Sequence, residues 1–481
     1  MILSILIVLG CFIGVIILII TEKLNRAVAA LSGAIIVYFV LIFIEKFDFK
    51  IIFELLFSSE EEGFVNFHSL ILIIGMMFIV QISNEAGLFQ FLALNLIKIS
   101  KGKPVYLMSI FCLITILISA ILNNILTVII LIPLTVTVSR ILNINPSPYI
   151  LTQAILVNVG GTFFTISSIP NILISSYAQI SFIDFFLNVG TISLLIFVFT
   201  LIFFIFIFKK ALVIPREGID VLKEFNVWNF VPDKKLLIKS LFALIILFVL
   251  FIFIPSSLIT SDIIALSIAI ILIIISRIDP KQIISKIDFE LILYLLGIFI
   301  IAGGLEVLGI VQFLGEIMSN ISGGDIFIQI IIILWFSSFL SSCIDNIPIT
   351  KVLIPVIGTI TQVYPSGFKN QFYYSLAIGA NWGDNLTPLG DNILVIQIAE
   401  QNKRPIRFKQ FFKIGFITTL YQIIIISIYF TLIFRFSIGL IIVLTIALTF
   451  SVIFIIDKFG PKKLKIIIEK IINKFRHIFI E

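Results

Sequence analysis

Ser119-Ala-Ile-Leu-Asn123-Asn124, followed by Pro133 and by Gly160-Gly161-Thr162-Phe-Phe-Thr165, returns later in the chain as Ser341-Ser-Cys-Ile-Asp345-Asn346, Pro355 and Trp382-Gly383-Asp384-Asn385-Leu-Thr387. A single shift of 222 residues carries Ser119 onto Ser341, Asn124 onto Asn346, Pro133 onto Pro355, Gly161 onto Gly383 and Thr165 onto Thr387. It also places Gly75 on Gly297, and Gly87-Leu-Phe-Gln90-Phe91-Leu92 on Gly309-Ile-Val-Gln312-Phe313-Leu314. One offset that holds over both motifs and their flanks is an internal duplication.

The duplicated segments lie in a chain of 481 residues, 60% hydrophobic and 12% charged, with a mean hydropathy of +1.23. A fold facing water on all sides cannot be built from that composition. Apolar runs recur at about the 20 residues that a helix needs to cross a hydrocarbon core, and they lack the alternation of barrel strands. The expected fold is therefore an all-α polytopic membrane protein with about 10 to 12 spans. Cys11, Cys112 and Cys343 sit singly in apolar segments, which excludes a disulfide framework and a zinc site as readings. His68 and His477 are the two histidines, too few and too far apart for a catalytic or metal cluster, and no enzyme constellation is visible. The net charge of +6 reflects membrane orientation rather than a nucleic-acid partner.

Breakers and charges then order the spans. Ile2–Ile20 reads as a retained first helix, because it lacks a basic start. Lys23 and Arg26 precede a second span near 27–44, and an acidic loop around Glu60–Glu62 follows. The Lys/Arg imbalance puts the amino terminus outside and Lys23 inside. A third span from His68 breaks at Asn84-Glu85-Ala-Gly87. Pro104 to Leu142 is apolar apart from Asn123-Asn124, with Lys103 and Arg140 at its two ends. Adjacent amides facing lipid are costly, so a re-entrant hairpin with the asparagines at its tip is expected. Between Tyr149 and Ser181, Gly160-Gly161, Ser167-Ser168 and Pro170-Asn171 predict a discontinuous helix. A span at 185–208 leads into the connector Lys209–Lys239, whose lysines and arginine predict an amphipathic cytoplasmic surface segment.

The second half repeats this order. Spans near 241–254 and 263–275 precede 291–308, with a break expected at Gly303-Gly304-Leu-Glu306. A hairpin over 326–364 has Asp345-Asn346 at its tip, a broken helix covers 373–399, and spans at 411–434 and 437–456 close the chain. The third crossing thus maps onto the eighth, an odd step, so the copies are inserted upside down. The basic tail from Lys458 suits an interfacial helix. The organisation is 1–66, amino-terminal spans; 67–208, first repeat; 209–239, connector; 240–434, second repeat; 435–481, an extra span and tail.

These residues resemble the ion transporter superfamily. Gly75-Met-Met-Phe-Ile-Val with Glu85-Ala-Gly-Leu-Phe, Ser119-Ala-Ile-Leu-Asn-Asn with Pro133, Gly160-Gly161 with Pro170-Asn171, and Ser341-Ser-Cys-Ile-Asp-Asn-Ile-Pro348 carry the likeness. Within it they are similar to the arsenite permease and NhaD-type sodium/proton antiporter group, whose relatives include citrate-transporter-like permeases, divalent anion:sodium symporters and the melanosomal P protein. The resemblance implies a secondary transporter with elevator-type alternating access, a site built from two hairpin tips and two helix breaks, and a homodimer. The chain departs from the pattern at Asn123, Ser167-Ser168, Asp384 and Lys351.

Hard cations need several oxygen ligands, which a helix break supplies as bare carbonyls alongside Asn, Ser, Thr and Asp side chains. Ser119, Asn123, Asn124, Gly161, Thr162, Thr165 and Asn171 form one candidate site. Asp345, Asn346, Gly383, Asp384, Asn385, Thr387, Asp391 and Asn392 form the other. Sodium near Asn124 and Asn346, or a proton, is the expected coupling ion, with no cofactor. Two substrates remain open: a cation exchanged for protons on Asp345, Asp384 and Asp391, or a carboxylate or arsenite-like anion drawn by Lys351. A channel is a poorer account, since alternating access explains the inversion. The expected location is the plasma membrane of a prokaryote, with connector and tail cytoplasmic.

Overall fold

The computed structural model describes residues 1–481 except 22, 61–62, 101–102, 210–211, 213–226, 389–391, 460, 462–465, 467–468, 471–472 and 475–481. The described residues form helices and turns with no strand. Among the described residues, ten helices are long and apolar enough to cross a membrane. The last of these, Phe436–Phe459, is almost wholly exposed along its apolar length, as a lipid-facing helix must be. The expected tail helix lies largely outside the described residues, as does most of the connector. Lys234, Lys235 and Lys239 belong instead to the membrane helix Lys234–Phe253, whose amino end Asp233 caps.

The duplication is visible element by element. Val65–Glu85, Leu88–Ile99, Pro104–Ser119, Asn124–Ile141, Ser147–Gly160 and Ile169–Ala178 correspond to Phe289–Val307, Ile310–Ser322, Ile326–Cys343, Asn346–Thr361, Lys369–Gly383 and Asn392–Gln401. Two hydrogen-bonded pairs establish the inversion. His68, at the start of Val65–Glu85, bonds Asp262 at the start of Ser261–Ser276, while Glu85, at its end, binds Lys286 just before Phe289–Val307. The helices at 65–85 and 289–307 therefore run in opposite directions.

The two copies also exchange a packing partner. Gly75 lies against the Ala265 and Leu266 backbone, and its counterpart Gly297 lies against Ala30; a Cβ at either would stand within 3 Å of backbone atoms. Each third-span helix is thus clasped by a helix from the opposite end of the fold, 261–276 on the first and 26–39 on the second.

A second expectation fails. Gly303 and Gly304 do not break their helix, which runs unbroken from Phe289 to Val307 and turns at Gly309, where φ is +81°. The two glycines serve packing: an added Cβ would stand 2.5 Å from Leu55 Cδ2 at Gly303 and 2.5 Å from Val37 Cγ1 at Gly304. A glycine inside a buried helix acts here as a place for a neighbour's side chain.

Candidate functional site

The tips of both hairpins are built the same way. At the first, Asn123 is extended and its side chain accepts from the Leu126 amide, so a new helix starts at Asn124. At the second, Asp345 caps the Ile347 amide and the helix starts at Asn346. The hairpin arms are bonded to the broken helices by serines at equivalent positions. Ser119 Oγ donates to the Val157 carbonyl at 2.5 Å, and Ser341 Oγ to the Ala380 carbonyl at 2.5 Å.

The breaks are held open by side chains that replace lost helical bonds. Asn171 Nδ2 donates to the carbonyls of Gly161 at 2.7 Å and Phe164 at 3.0 Å. Thr162 Oγ1 shares a hydrogen with Ser193 at 2.8 Å and accepts from the fully buried Trp382 indole at 3.0 Å. In the second break, Asn392 Nδ2 donates to the Asp384 carbonyl at 2.9 Å, and Thr387 Oγ1 donates to the Ser342 carbonyl at 2.5 Å.

A chain of amides joins the two halves. Asn124 Nδ2 donates to Asn158 Oδ1 at 2.6 Å, Asn158 Nδ2 to Asn385 Oδ1 at 2.7 Å, and Asn385 Nδ2 to the Ile155 carbonyl at 2.9 Å. A carbonyl only accepts, so the last bond fixes the direction of all three. The relay therefore leaves Asn124 Oδ1 as its free acceptor. That oxygen is buried with no hydrogen-bond partner among the described residues, in a residue 5% exposed. It faces Gly161, where an added Cβ would stand 2.9 Å away. Asp384, 3% exposed, is the carboxylate of the cluster and is approached by the amides of Asn158 and Asn392, each at 3.4 Å.

The candidate residues are thus regrouped. Ser119, Asn124, Gly161, Thr162, Asn171, Gly383, Asp384, Asn385 and Asn392 meet in one interior, and Thr387 ties its edge to the second hairpin. Thr165 is buried but faces a separate cavity that His68 and Asp262 also line. Asn123, Asn124, Ser168, Pro170 and Asn346 share a small cavity with Arg26. Asp345 turns to Tyr294, whose hydroxyl donates to it at 3.4 Å. The Lys351 ammonium donates to Asn66 at 2.6 Å and lies 4.9 Å from the centre of the Phe299 ring. Asp391 lies outside the described residues.

Five contributors were not singled out from sequence: Asn158, Asn381, Trp382, Ser193 and Arg26. Asn381 Nδ2 donates to Asn171 Oδ1 at 2.9 Å, tying one broken helix to the other. Arg26 bonds Asp288 at 2.9 Å and Glu290 at 3.1 Å. A lone asparagine inside an apolar helix was the available signal for Asn158 and Asn381. Among the described residues no three His, Cys, Asp or Glu side chains gather as a metal cluster would need. The oxygens present are amides, hydroxyls, backbone carbonyls and the single carboxylate of Asp384, which suit a hard monovalent cation or water.

Lys351 gives a direct prediction. Because its ammonium is held by the Asn66 amide and the face of the Phe299 ring, Lys351→Gln should change substrate KM by less than about threefold, a difference under 1 kcal/mol in binding. Saturation curves for wild type and variant check this.

Duplicated hairpins and broken helices that meet in a buried polar centre define a secondary membrane transporter. The comparisons narrow the class: residues 16–379 match the family model described as "Citrate transporter", and the chain belongs to that family. It is 30% identical over 415 residues to a 46 kDa membrane protein of Mycobacterium leprae, covering 86% of this chain and 95% of that one. An uncharacterized transporter of Mycobacterium tuberculosis is 29% identical over 423 residues, with 87% and 96% covered. The P protein of Homo sapiens is 24% identical over 486 residues, covering 84% of this chain and 57% of that protein.

Proposed function

We infer that this transporter moves a small carboxylate-bearing anion together with a cation, by displacing its hairpins and broken helices against the helices at 26–39, 65–85, 261–276 and 289–307. The observation that carries the reading is a convergence of helix starts. The helices beginning at Asn124, Ile169 and Asn346 all open at the small cavity that Arg26 also lines. Each is capped at one amide by the residue before it, Asn123, Ser168 or Asp345, and turns the positive end of its dipole toward the cavity, which together with a guanidinium favours an anion. The unpaired Asn124 Oδ1 beside Gly161 supplies an acceptor for the accompanying cation. The family description points to the same substrate class. In this reading the hairpins are re-entrant, the basic loops face the cytoplasm and the amino terminus lies outside.

A second reading, cation/proton exchange, has one observation in its favour: Asp384 is a buried carboxylate among amides, where proton and cation would compete for the same oxygens. The two separate in proteoliposomes. Labelled citrate should accumulate when an inward sodium or proton gradient is imposed, and Asn124→Ala should remove the cation dependence. Proton efflux on adding sodium, with no citrate uptake under any gradient, would replace the first reading by the second.

A further inference from the structure

The inversion pairs two ion contacts that differ in chemistry. The 222-residue offset carries His68 onto Glu290, each near the start of its third-span helix. Their partners are equivalent as well. Asp262 begins the helix whose Ala265 clasps Gly75, and Arg26 begins the helix whose Ala30 clasps Gly297. One lip of the fold therefore carries His68 and Asp262, joined at 2.9 Å, and its inverted counterpart carries Glu290 and Arg26, joined at 3.1 Å, with Asp288 on the same guanidinium at 2.9 Å. Each pair lines a large cavity, about 490 Å³ at His68 and about 510 Å³ at Arg26. Arginine is charged at every working pH, whereas histidine is not.

We propose that His68 is a charge-selecting residue at one mouth of the permeation path: protonated, it neutralises Asp262 and admits an anion; neutral, it leaves that mouth negative and turns anions away. This rests on the reading of the chain as a transporter of a small anion, and adds the residue that sets the charge of one entrance. Asp262 is the carboxylate in contact with His68, while Glu60, whose carbonyl accepts from the amide of the cavity-lining Gly63, adds a carboxylate on the neighbouring loop that does not change between the variants. From the helix Ser261–Ser276 His68 faces Asp262, itself 3% exposed. The cavity walls from Thr165 to Phe182 and from Ser256 to Ser261 bring hydroxyls, an amide and apolar groups. On the helix Lys50–Phe57, Lys50 and Glu54 pair with each other at 3.3 Å. Lys351 is bound to Asn66, two residues before His68. The cavity reaches Thr165 at the first helix break, so its potential acts on a solute approaching the polar centre.

The test reads that potential without needing transport. Thr165→Cys is placed in a Cys343→Ser background, and its rates of modification by anionic sulfonatoethyl and cationic trimethylammonioethyl methanethiosulfonates are compared. Their ratio cancels the thiol's own titration. Lowering the pH from about 8 to about 5.5 should raise the anion-to-cation ratio about tenfold. His68→Gln should hold it low at both pH values, and Asp262→Asn should hold it high at both. A ratio that stays flat in the His68 background, or that shifts equally in His68→Gln, overturns the proposal. If Thr165→Cys fails to insert, Ser257→Cys at the rim of the same cavity takes its place. Citrate uptake by the unmodified chain is scored separately, so a failure of the transport reading is distinct from a failure here.

Discussion

Asn158→Ala should abolish coupled transport while the protein still reaches the membrane. Asn158 is the node of the amide relay, accepting from Asn124 and donating to Asn385 and Asp384. Its removal strands the Asn124 amide and leaves the Asn385 carbonyl only the longer contact of 3.4 Å from the Asn392 amide, at a cost of about 2 to 4 kcal/mol in stability. The functional loss should exceed this. Without Asn158 nothing orients Asn124, whose unpaired oxygen is the proposed cation ligand. A loss of about 3 kcal/mol in ion binding is roughly a hundredfold in affinity. Asn158→Asp separates the two effects: it keeps an acceptor for Asn124 but cannot donate to Asn385 when ionised, and it sets a second carboxylate near Asp384. It should bind the cation only at low pH, where it is protonated and can donate. Sodium-dependent citrate uptake, with the amount of inserted protein as control, checks both variants. Asn158→Ala with wild-type cation dependence would remove the relay from the mechanism.

The architecture was largely legible in the sequence, and the reason is physical. A membrane helix needs a long apolar run, and a tip or break needs Gly, Pro or Asn, so both leave marks on consecutive residues. The hairpins fall at Asn123–Asn124 and Asp345–Asn346, as the spacing indicates. Contacts between the copies leave no such mark. The shift that superimposes the repeats places Ala380 under Asn158 and Val159 under Asn381, so self-comparison hides the two asparagines that bind the halves together. It likewise matches His68 with Glu290, an acid against a base, and conceals that both hold a helix start of opposite charge. Gly303 and Gly304 were misjudged for a related reason: a glycine that breaks a helix and one that receives a neighbour differ only in what packs against them.

That distinction gives the largest structural effect expected in the molecule. Gly379 and Gly383 are four residues apart on the helix Lys369–Gly383, and both face the serine-lined helix Ile326–Cys343. The spacing lets two backbones close to contact, as small residues one turn apart do in membranes. A methyl at Gly383 would stand 2.2 Å from the Ser338 carbonyl oxygen and 2.5 Å from its Cα. These are backbone atoms, so no rotamer change relieves the clash. The helices would have to separate, breaking the bonds from Ser341 to Ala380 and from Thr387 to Ser342 that fasten the second hairpin to the second break. Gly383→Ala should therefore cost at least about 3 kcal/mol, and Gly379→Ala, pressed against the Leu334 carbonyl at 2.7 Å, should cost nearly as much. Gly10→Ala, with nothing within 4 Å of the new methyl, should be neutral. Thermal denaturation in detergent ranks the three. Equal melting temperatures for Gly383→Ala and Gly10→Ala would mean that hairpin and broken helix are not fastened as one body, and the moving unit of the proposed transport cycle would have to be drawn elsewhere.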